Sequence, residues 1–319
     1  MVPKLLVHGG AGRYRKVSEE RRQRVLREIE NALDSGISAL RSGSAIEGVV
    51  EAVSYMEQCG AFNAGRGSVL NLRGEAELDA GVMFGLDLSV GAVAVLKDYW
   101  NAVRLADFIR QNTDHIFLAG EGARLLAEKF AMEKFKPLPE RVKKYRELMR
   151  KFKENGIYWR KNRQLVSRYG LGTVGAVAID SDGNLAAASS TGGIWLKLPG
   201  RVGDTPVVGG GFYAENGAAA ASATGRGELI ARFMLSARIA AEVRRGLNAS
   251  DAAKKVVQEL TDIFGANTAG VIVIDRNGNY GYAYNTEVFI MGIYNGERIE
   301  TVSYTHLRAH ETEADLVCR

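Results

Sequence analysis

Cysteine is nearly missing from this 319-residue chain, which has only Cys59 and Cys318. Two distant thiols cannot build the disulfide framework of a small secreted domain, and their scarcity fits a reducing compartment. Histidine is almost as scarce. His8, His115, His306 and His310 are scattered, none joins a cysteine at zinc-ligand spacing, and neither HExxH nor CxxC occurs. A catalytic transition metal is therefore not expected. No apolar run approaches the roughly 20 residues that a bilayer-spanning helix needs. The first residues, Met1 to His8, lack the apolar stretch and small-residue cleavage site of a signal peptide and read as a strand. Together these absences predict a cytoplasmic protein that does not engage a membrane.

What is present is a large apolar fraction, 46% of residues, enough for a substantial core. The net charge of +5 is unevenly placed: residues 134–168 hold thirteen Lys and Arg against three Glu. A basic stripe of this kind can bind nucleic acid, but no RNA- or DNA-binding motif accompanies it, and a solvated helical connector accounts for it as well. With Pro137, Pro139 and weak periodicity, residues 134–169 read as a basic linker. Residues 303–319 lose strand periodicity, carry two of the four histidines and read as a non-native or disordered tail.

Apolar spacing through Val25, Ile29, Leu33, Ile37 and Leu40 predicts a helix over about 19–42, and a second follows over about 45–58. Strands are expected at 77–83 and 90–95, and helices at 102–111, 120–130, 228–246 and 249–264. Two similar hairpins stand out, 174–179 with 185–190 and 271–274 with 280–284, each turning through an Asp-Gly or Asn-Gly dipeptide. Strands cluster beside paired helices rather than alternating with them. That pattern argues against a doubly wound parallel sheet and for antiparallel sheets sandwiched by helices.

The chemistry concentrates on threonines beside glycines. Thr173 stands in Gly172-Thr173-Val174-Gly175-Ala176-Val177-Ala178, ahead of a β-rich run. A threonine hydroxyl is a weak nucleophile that needs a base, and a free α-amine on the same residue can serve, its reference pKa of about 7.7–8.0 lying near working pH. That amine exists only once the Gly172-Thr173 bond is broken. The side chain can break it by attacking the Gly172 carbonyl, and a glycine there tolerates the strained backbone that attack requires. Alone, the tripeptide would be an ordinary strand opening, because threonine favours strands. Thr224 and Gly225 precede a helix whose free N–H groups could stabilise an oxyanion. Arg201 and Asp204, three residues apart in one loop, could clamp the carboxylate and ammonium of an amino acid, or simply pair at the surface. Thr191 could orient the nucleophile or merely turn the chain.

Taken with His8-Gly9-Gly10-Ala11-Gly12, Phe62-Asn63-Ala64-Gly65, Glu77-Leu78-Asp79-Ala80, Ser190-Thr191-Gly192-Gly193, Gly200-Arg201-Val202-Gly203-Asp204 and Ala223-Thr224-Gly225-Arg226-Gly227-Glu228, the chain resembles the plant-type asparaginase and isoaspartyl aminopeptidase family of N-terminal-nucleophile (Ntn) hydrolases. The match runs from about residue 5 to 299, with every motif in family order. The resemblance implies an α+β fold, a four-layer αββα sandwich of two mainly antiparallel sheets flanked by helices. It implies one domain, 1–302, cut by the chain itself into an α subunit, 1–172, and a β subunit, 173–302, that associate as a dimer of αβ heterodimers. It implies Thr173 as nucleophile, Thr191 as its orienting group, Thr224 and the Gly225 N–H as oxyanion donors, and Arg201, Asp204, Gly225, Gly227 and Asn63 around the substrate. No cofactor is implied for catalysis. A structural sodium ion is implied on the backbone carbonyls of Glu57, Cys59, Phe62, Ala64 and Arg66. One position departs from the pattern: many members carry Asp before the nucleophile, where this chain has Gly172.

The expected activity is hydrolysis of L-asparagine and of β-aspartyl dipeptides through a β-aspartyl ester on Thr173. A glycosylasparaginase-like amidohydrolase is the nearest alternative. From other classes, a nucleic-acid binder would use the basic stripe, and a nucleotide-binding protein would use residues 8–12 as a phosphate loop. The latter lacks a third fingerprint glycine, since Arg15 stands there, and no GKS or GKT follows.

Overall fold

The run Leu5-Leu6-Val7 forms the buried middle of β1 (Lys4–Gly12), near the centre of the larger of two sheets. The structure is a computed structural model that describes residues 1–12, 18–155 and 172–305. In chain order β1 is followed by α1 (Glu19–Ser42), α2 (Ala45–Gln58), β2 (Leu78–Phe84), β3 (Val90–Leu96), α3 (Ala102–Asn112), β4 (Phe117–Ala119), α4 (Gly120–Lys129) and α5 (Pro139–Asn155). After residue 172 come β5 (Val174–Ile179), β6 (Leu185–Thr191), β7 (Phe212–Ala214), β8 (Ala219–Gly225), α6 (Gly227–Phe233), α7 (Leu235–Arg244) and α8 (Ala249–Phe264). Strands β9 (Ala269–Asp275), β10 (Tyr280–Tyr284), β11 (Val288–Tyr294) and β12 (Ile299–Thr305) complete the described chain.

The larger sheet has the order β12-β11-β1-β5-β6-β2-β3-β4, and the smaller β10-β9-β8-β7. Pairing is antiparallel throughout except between β3 and β4. The two-residue side-chain period of a strand explains why β1 is apolar without alternation. Leu5 and Val7 face one core, shared with Ile29, Leu33, Val49 and Val53 of α1 and α2, while Leu6 faces a second, shared with Phe212 and Ile272 of the smaller sheet. A third core joins Ala221, Val271 and Val273 of that sheet to Ile239, Val256 and Leu260 of α7 and α8. Helices, sheet, sheet and helices therefore stack in the expected αββα order.

The two similar hairpins have a shared use. At each turn an aspartate, Asp180 or Asp275, accepts two turn N–H groups through Oδ1. Its Oδ2 accepts the first N–H of a helix, that of Ala45 in α2 or Ala249 in α8, at 3.1 Å in both cases. Each hairpin thus satisfies an orphan helix donor on the layer behind it.

Several expectations need correction. Residues 139–155, read as linker, form α5, which begins on Pro139, a position where proline's missing N–H costs nothing. One face of α5 docks through Tyr145, Leu148 and Met149 on a satellite core with Val69, Leu70 and Trp195. The helix expected at 228–246 is two, α6 and α7, broken at Met234, whose φ of 57° is left-handed. Short or Ala-rich strands β4, β7 and β8, and the strands β11 and β12, were not anticipated. Strand β12 pairs with β11 as far as Val288 with Thr305, so ordered chain extends past the boundary set at 302. The remainder of the expected linker, 156–169, and tail, 306–319, lies outside the described residues.

Candidate active site

Antiparallel pairing of β5 with β6 sets Val174 opposite Ser190, so the next step of the register carries Thr173 across from Thr191. Thr173 is buried, with 7% of its surface exposed. Its chain is crowded from two sides. A Cβ on Gly172 would stand 2.9 Å from Thr224 Oγ1 and 3.4 Å from the Ala11 carbonyl oxygen. A Cβ on Gly10, which has φ +112°, would stand 2.4 Å from the Gly172 nitrogen. The Gly172-Thr173 peptide is therefore enclosed by the Gly-rich end of β1 and by Thr224 on β8, and the fit depends on glycine at both 10 and 172. The Thr224 hydroxyl is buried and has no hydrogen-bond partner among the described residues.

The Thr173 hydroxyl does have one. Thr205 Oγ1 lies 3.3 Å from Thr173 Oγ1. Thr205 follows Asp204 directly, in the loop that also carries Arg201. Asp204 Oδ1 and an Arg201 terminal nitrogen each lie 2.9 Å from where a Gly227 Cβ would be, which brings the predicted substrate-clamp residues Arg201, Asp204 and Gly227 into one cluster. Asp204 is buried and its Oδ2 has no partner among the described residues. Burial pushes its carboxyl up to about 7, against the opposing pull of Arg201. Arg201 is paired at 2.9 Å with Glu228, which is half-exposed.

A buried ionic group anchors this loop. The Glu77 carboxylate accepts the Gly200 N–H at 3.1 and 3.2 Å, and the fully buried Lys197 donates to the Glu77 carbonyl at 2.9 Å. Burial lowers the Lys197 ammonium, with Asp79 and Glu77 opposing the shift. On the other side, Asn63 Nδ2 donates to the Gly193 carbonyl at 2.7 Å and the Asn63 carbonyl accepts the Gly192 N–H. Thr191 Oγ1 accepts the Gly193 N–H at 3.0 Å. The predicted residues Asn63 and Thr191 thus hold the same turn, immediately beyond β6. Gly225, at φ +145°, ends β8 next to Thr224, where a Cβ would lie 2.2 Å from the Thr268 carbonyl.

The asparaginase family model matches residues 1–304. This chain belongs to the asparaginase family. It is 45% identical over 292 residues to the plant-type L-asparaginase of Pyrobaculum calidifontis, covering 90% of this chain and 95% of that protein. It is 40% identical to the isoaspartyl peptidase/L-asparaginase of Danio rerio, with 90% of each chain covered. The isoaspartyl peptidase of Escherichia coli is 39% identical, covering 89% of this chain and 90% of its own. The chain is accordingly a hydrolase, and neither the glycosylasparaginase-like nor the nucleic-acid-binding alternative is favoured.

Three side-chain contacts of this asparaginase leave no signal in the sequence. Thr205 adjoins Asp204, but a hydroxyl beside a charged residue carries no signal by itself. Glu57 is fully buried at the end of α2. It accepts the Ser190 hydroxyl and the Val103 N–H at the start of α3, and burial raises its carboxyl to about 8. His8 is buried with Nε2 3.1 Å from Ser222 Oγ, and burial lowers its imidazole to about 3, so it is neutral at working pH. Gly175 makes room for both: a Cβ there would stand 2.1 Å from Ser222 Oγ and 2.4 Å from His8 Nε2. No helix of the described residues is long and apolar enough to cross a membrane.

Proposed function

We propose that this asparaginase cuts itself between Gly172 and Thr173 and then hydrolyses L-asparagine and β-aspartyl dipeptides with the Thr173 hydroxyl. In maturation, Oγ1 bonds to the Gly172 carbonyl carbon, the bond to the Thr173 nitrogen breaks, and that nitrogen takes the hydroxyl proton. Water then hydrolyses the ester, leaving a free α-amine on Thr173 and a carboxylate on Gly172. In turnover the amine takes the hydroxyl proton as Oγ1 attacks the substrate's β-carbonyl, and ammonia or an amino acid leaves. The amine next activates water to release aspartate. Thr224 and the Gly225 N–H hold the oxyanion, Arg201 the α-carboxylate, and Asp204 with the Gly227 carbonyl the α-ammonium. Thr191 and Asn63 shape the turn beside the nucleophile. The observation that carries this reading is the set of buried polar atoms around Thr173 that lack partners among the described residues, Thr224 Oγ1 and Asp204 Oδ2, since such atoms are costly unless something polar completes them. Purified protein should resolve into two fragments whose masses place the break before Thr173, and should release aspartate from both substrates. A chain that stays whole and inert on both would refute the proposal. We propose in addition that the matured subunits pair as a dimer of αβ heterodimers in the cytoplasm.

The Asp204 carboxyl gives this proposal a pH signature. Its folded pKa, about 7, lies above the ordinary 3.8, so the protonated form dominates until pH passes 7. The group's contribution to stability is complete below about 4 and is lost as pH rises through 7. Binding of an ammonium has the opposite sign, because only the carboxylate attracts it. The rate constant kcat/KM should therefore climb with pH through about 7. Asp204→Asn should remove that limb and leave any limb due to the Thr173 amine, which falls in kcat as well. An unchanged limb in the variant would detach Asp204 from the ammonium.

We further propose a structural sodium ion on the 57–66 carbonyls, with no part in the chemistry. Carbonyl oxygen is the ligand a hard cation prefers. The loop turns such oxygens inward: a Cβ on Gly67 would lie 2.1 Å from the Phe62 oxygen and 2.7 Å from that of Gly60, and one on Gly65 2.4 Å from that of Glu57. Arg141 of α5 already donates to the Phe62 carbonyl at 3.3 Å, so the ion would share that ligand with a guanidinium. Exchanging sodium for choline should lower the melting temperature by a few degrees, since a ligand at a hundred times its Kd stabilises by about 2.7 kcal/mol. Equal melting in both salts would remove the ion from this loop.

A further inference from the structure

We infer that Thr205 is a positioning residue for the nucleophile, both in self-cleavage and in turnover. This rests on the reading of Thr173 as nucleophile. Among the described residues, Thr205 Oγ1 is the hydrogen-bond partner of Thr173 Oγ1, at 3.3 Å. Thr191, the residue expected to orient the nucleophile, accepts the Gly193 N–H at its hydroxyl and keeps its own O–H free to donate.

Thr205 is placed to hold its partner still. It is fully buried, and its carbonyl accepts the Ser189 hydroxyl at 2.9 Å. Ser189 belongs to β6, and β6 pairs with β5, the strand that Thr173 opens. The Gly211 N–H is bound to the neighbouring Asp204 carbonyl, which closes the turn behind it. A threonine is stiff at χ1, so a hydroxyl carried on a backbone anchored in this way has few directions open to it. The consequence is that Thr173 Oγ1 is held in one rotamer before attack. Thr205 neither gains nor loses a proton over the cycle. It exchanges one hydrogen bond for another as the Thr173 proton passes to nitrogen.

The same short loop, 201–205, then carries the residues that recognise substrate and the hydroxyl that aims the nucleophile. Glu77 fixes the start of that loop through the Gly200 N–H, and Ser189 fixes its end. Recognition and aim are thus set by one segment; shifting its backbone should affect both, whereas removing the Thr205 hydroxyl alone should affect aim.

The test compares Thr205→Ala, Thr205→Val and Thr205→Ser with wild type and with Thr173→Ala. Each is followed for conversion to two fragments on a denaturing gel, for kcat and KM on L-asparagine once cut, and for melting temperature. Thr205→Ala and Thr205→Val should slow cleavage and lower kcat by about tenfold, the scale of one lost positioning hydrogen bond, with KM within about twofold. Thr205→Ser, which keeps the hydroxyl, should return both rates to within about threefold of wild type. Rescue by serine with an unmoved KM is what a merely structural residue would not give. If either hydroxyl-free variant melts like wild type and cuts and turns over like wild type, Thr205 does not position the nucleophile. If serine is as slow as alanine, the hydroxyl is not the relevant group, and the inference is likewise overturned. The two readings separate cleanly: an inactive Thr173→Ala beside a normal Thr205→Ala overturns this inference alone, whereas an active Thr173→Ala overturns both.

Discussion

Thr173→Ala should leave the 34.6 kDa chain as one band on a denaturing gel, and its hydrolysis of L-asparagine and β-aspartyl dipeptides should fall by at least about 10⁴-fold, the scale on which enzymes lose rate when a covalent nucleophile is removed. Both losses follow from one atom. Under the proposed function the hydroxyl is the attacking group in maturation, and maturation supplies the amine that later serves as its base. Thr173→Ser separates the two demands of chemistry and packing. Serine retains the oxygen but not the methyl group that helps restrict χ1, so it should cut slowly and reach two fragments after prolonged incubation. The buried setting makes the alanine variant informative, because Thr173 lies in a tight register at the head of β5 and alanine creates only a small void there. A folded Thr173→Ala protein that still cleaves itself, or that keeps hydrolysing either substrate, would assign the nucleophile to another residue.

Much of this site could be read from the chain because its pieces are local. Gly172 and Thr173, Arg201 and Asp204, and Thr224 with Gly225 and Gly227 each occupy a few consecutive residues, and short-range spacing is what a sequence displays. The helices α1, α2 and α8 were readable for a related reason: their apolar positions recur at helical period, as in Val25, Ile29 and Leu33. Strand β8 was not, since Ala219 to Ala223 is small residues buried on both faces and carries no two-residue alternation. Helix α5 was obscured by its charge, although Tyr145, Leu148 and Met149 form the face that docks. Contacts between distant segments were the least readable. The bond from Thr205 to Thr173, the Glu57 carboxyl on Ser190, and Lys197 on Glu77 each join residues far apart in sequence that only tertiary packing brings together.

Arg201→Leu should produce the second large effect, a fall in kcat/KM of about 10²- to 10³-fold carried mainly by KM. That range corresponds to the few kcal/mol lost when one member of a desolvated charge pair is removed. The guanidinium is mostly buried, with 12% of its side chain exposed, so its pairing with a substrate carboxylate is poorly screened by water. It has a competitor in the uncut chain. Glu228 lies 2.9 Å away, and a carboxylate substrate must share or displace it. Because 54% of the Glu228 side chain is exposed, its hold on Arg201 is that of a surface pair, worth at most about 1 kcal/mol. Glu228→Gln should therefore alter KM by less than about fivefold. Arg201→Lys should recover only part of the loss, because an ammonium cannot present the paired donors of a guanidinium to a carboxylate. Steady-state kinetics on L-asparagine and on an amide with no α-carboxylate provide the check. The leucine substitution should penalise the first substrate and leave the second nearly unaffected, and equal losses on both would mean that Arg201 acts by holding the loop of Asp204 and Thr205 rather than by binding the carboxylate.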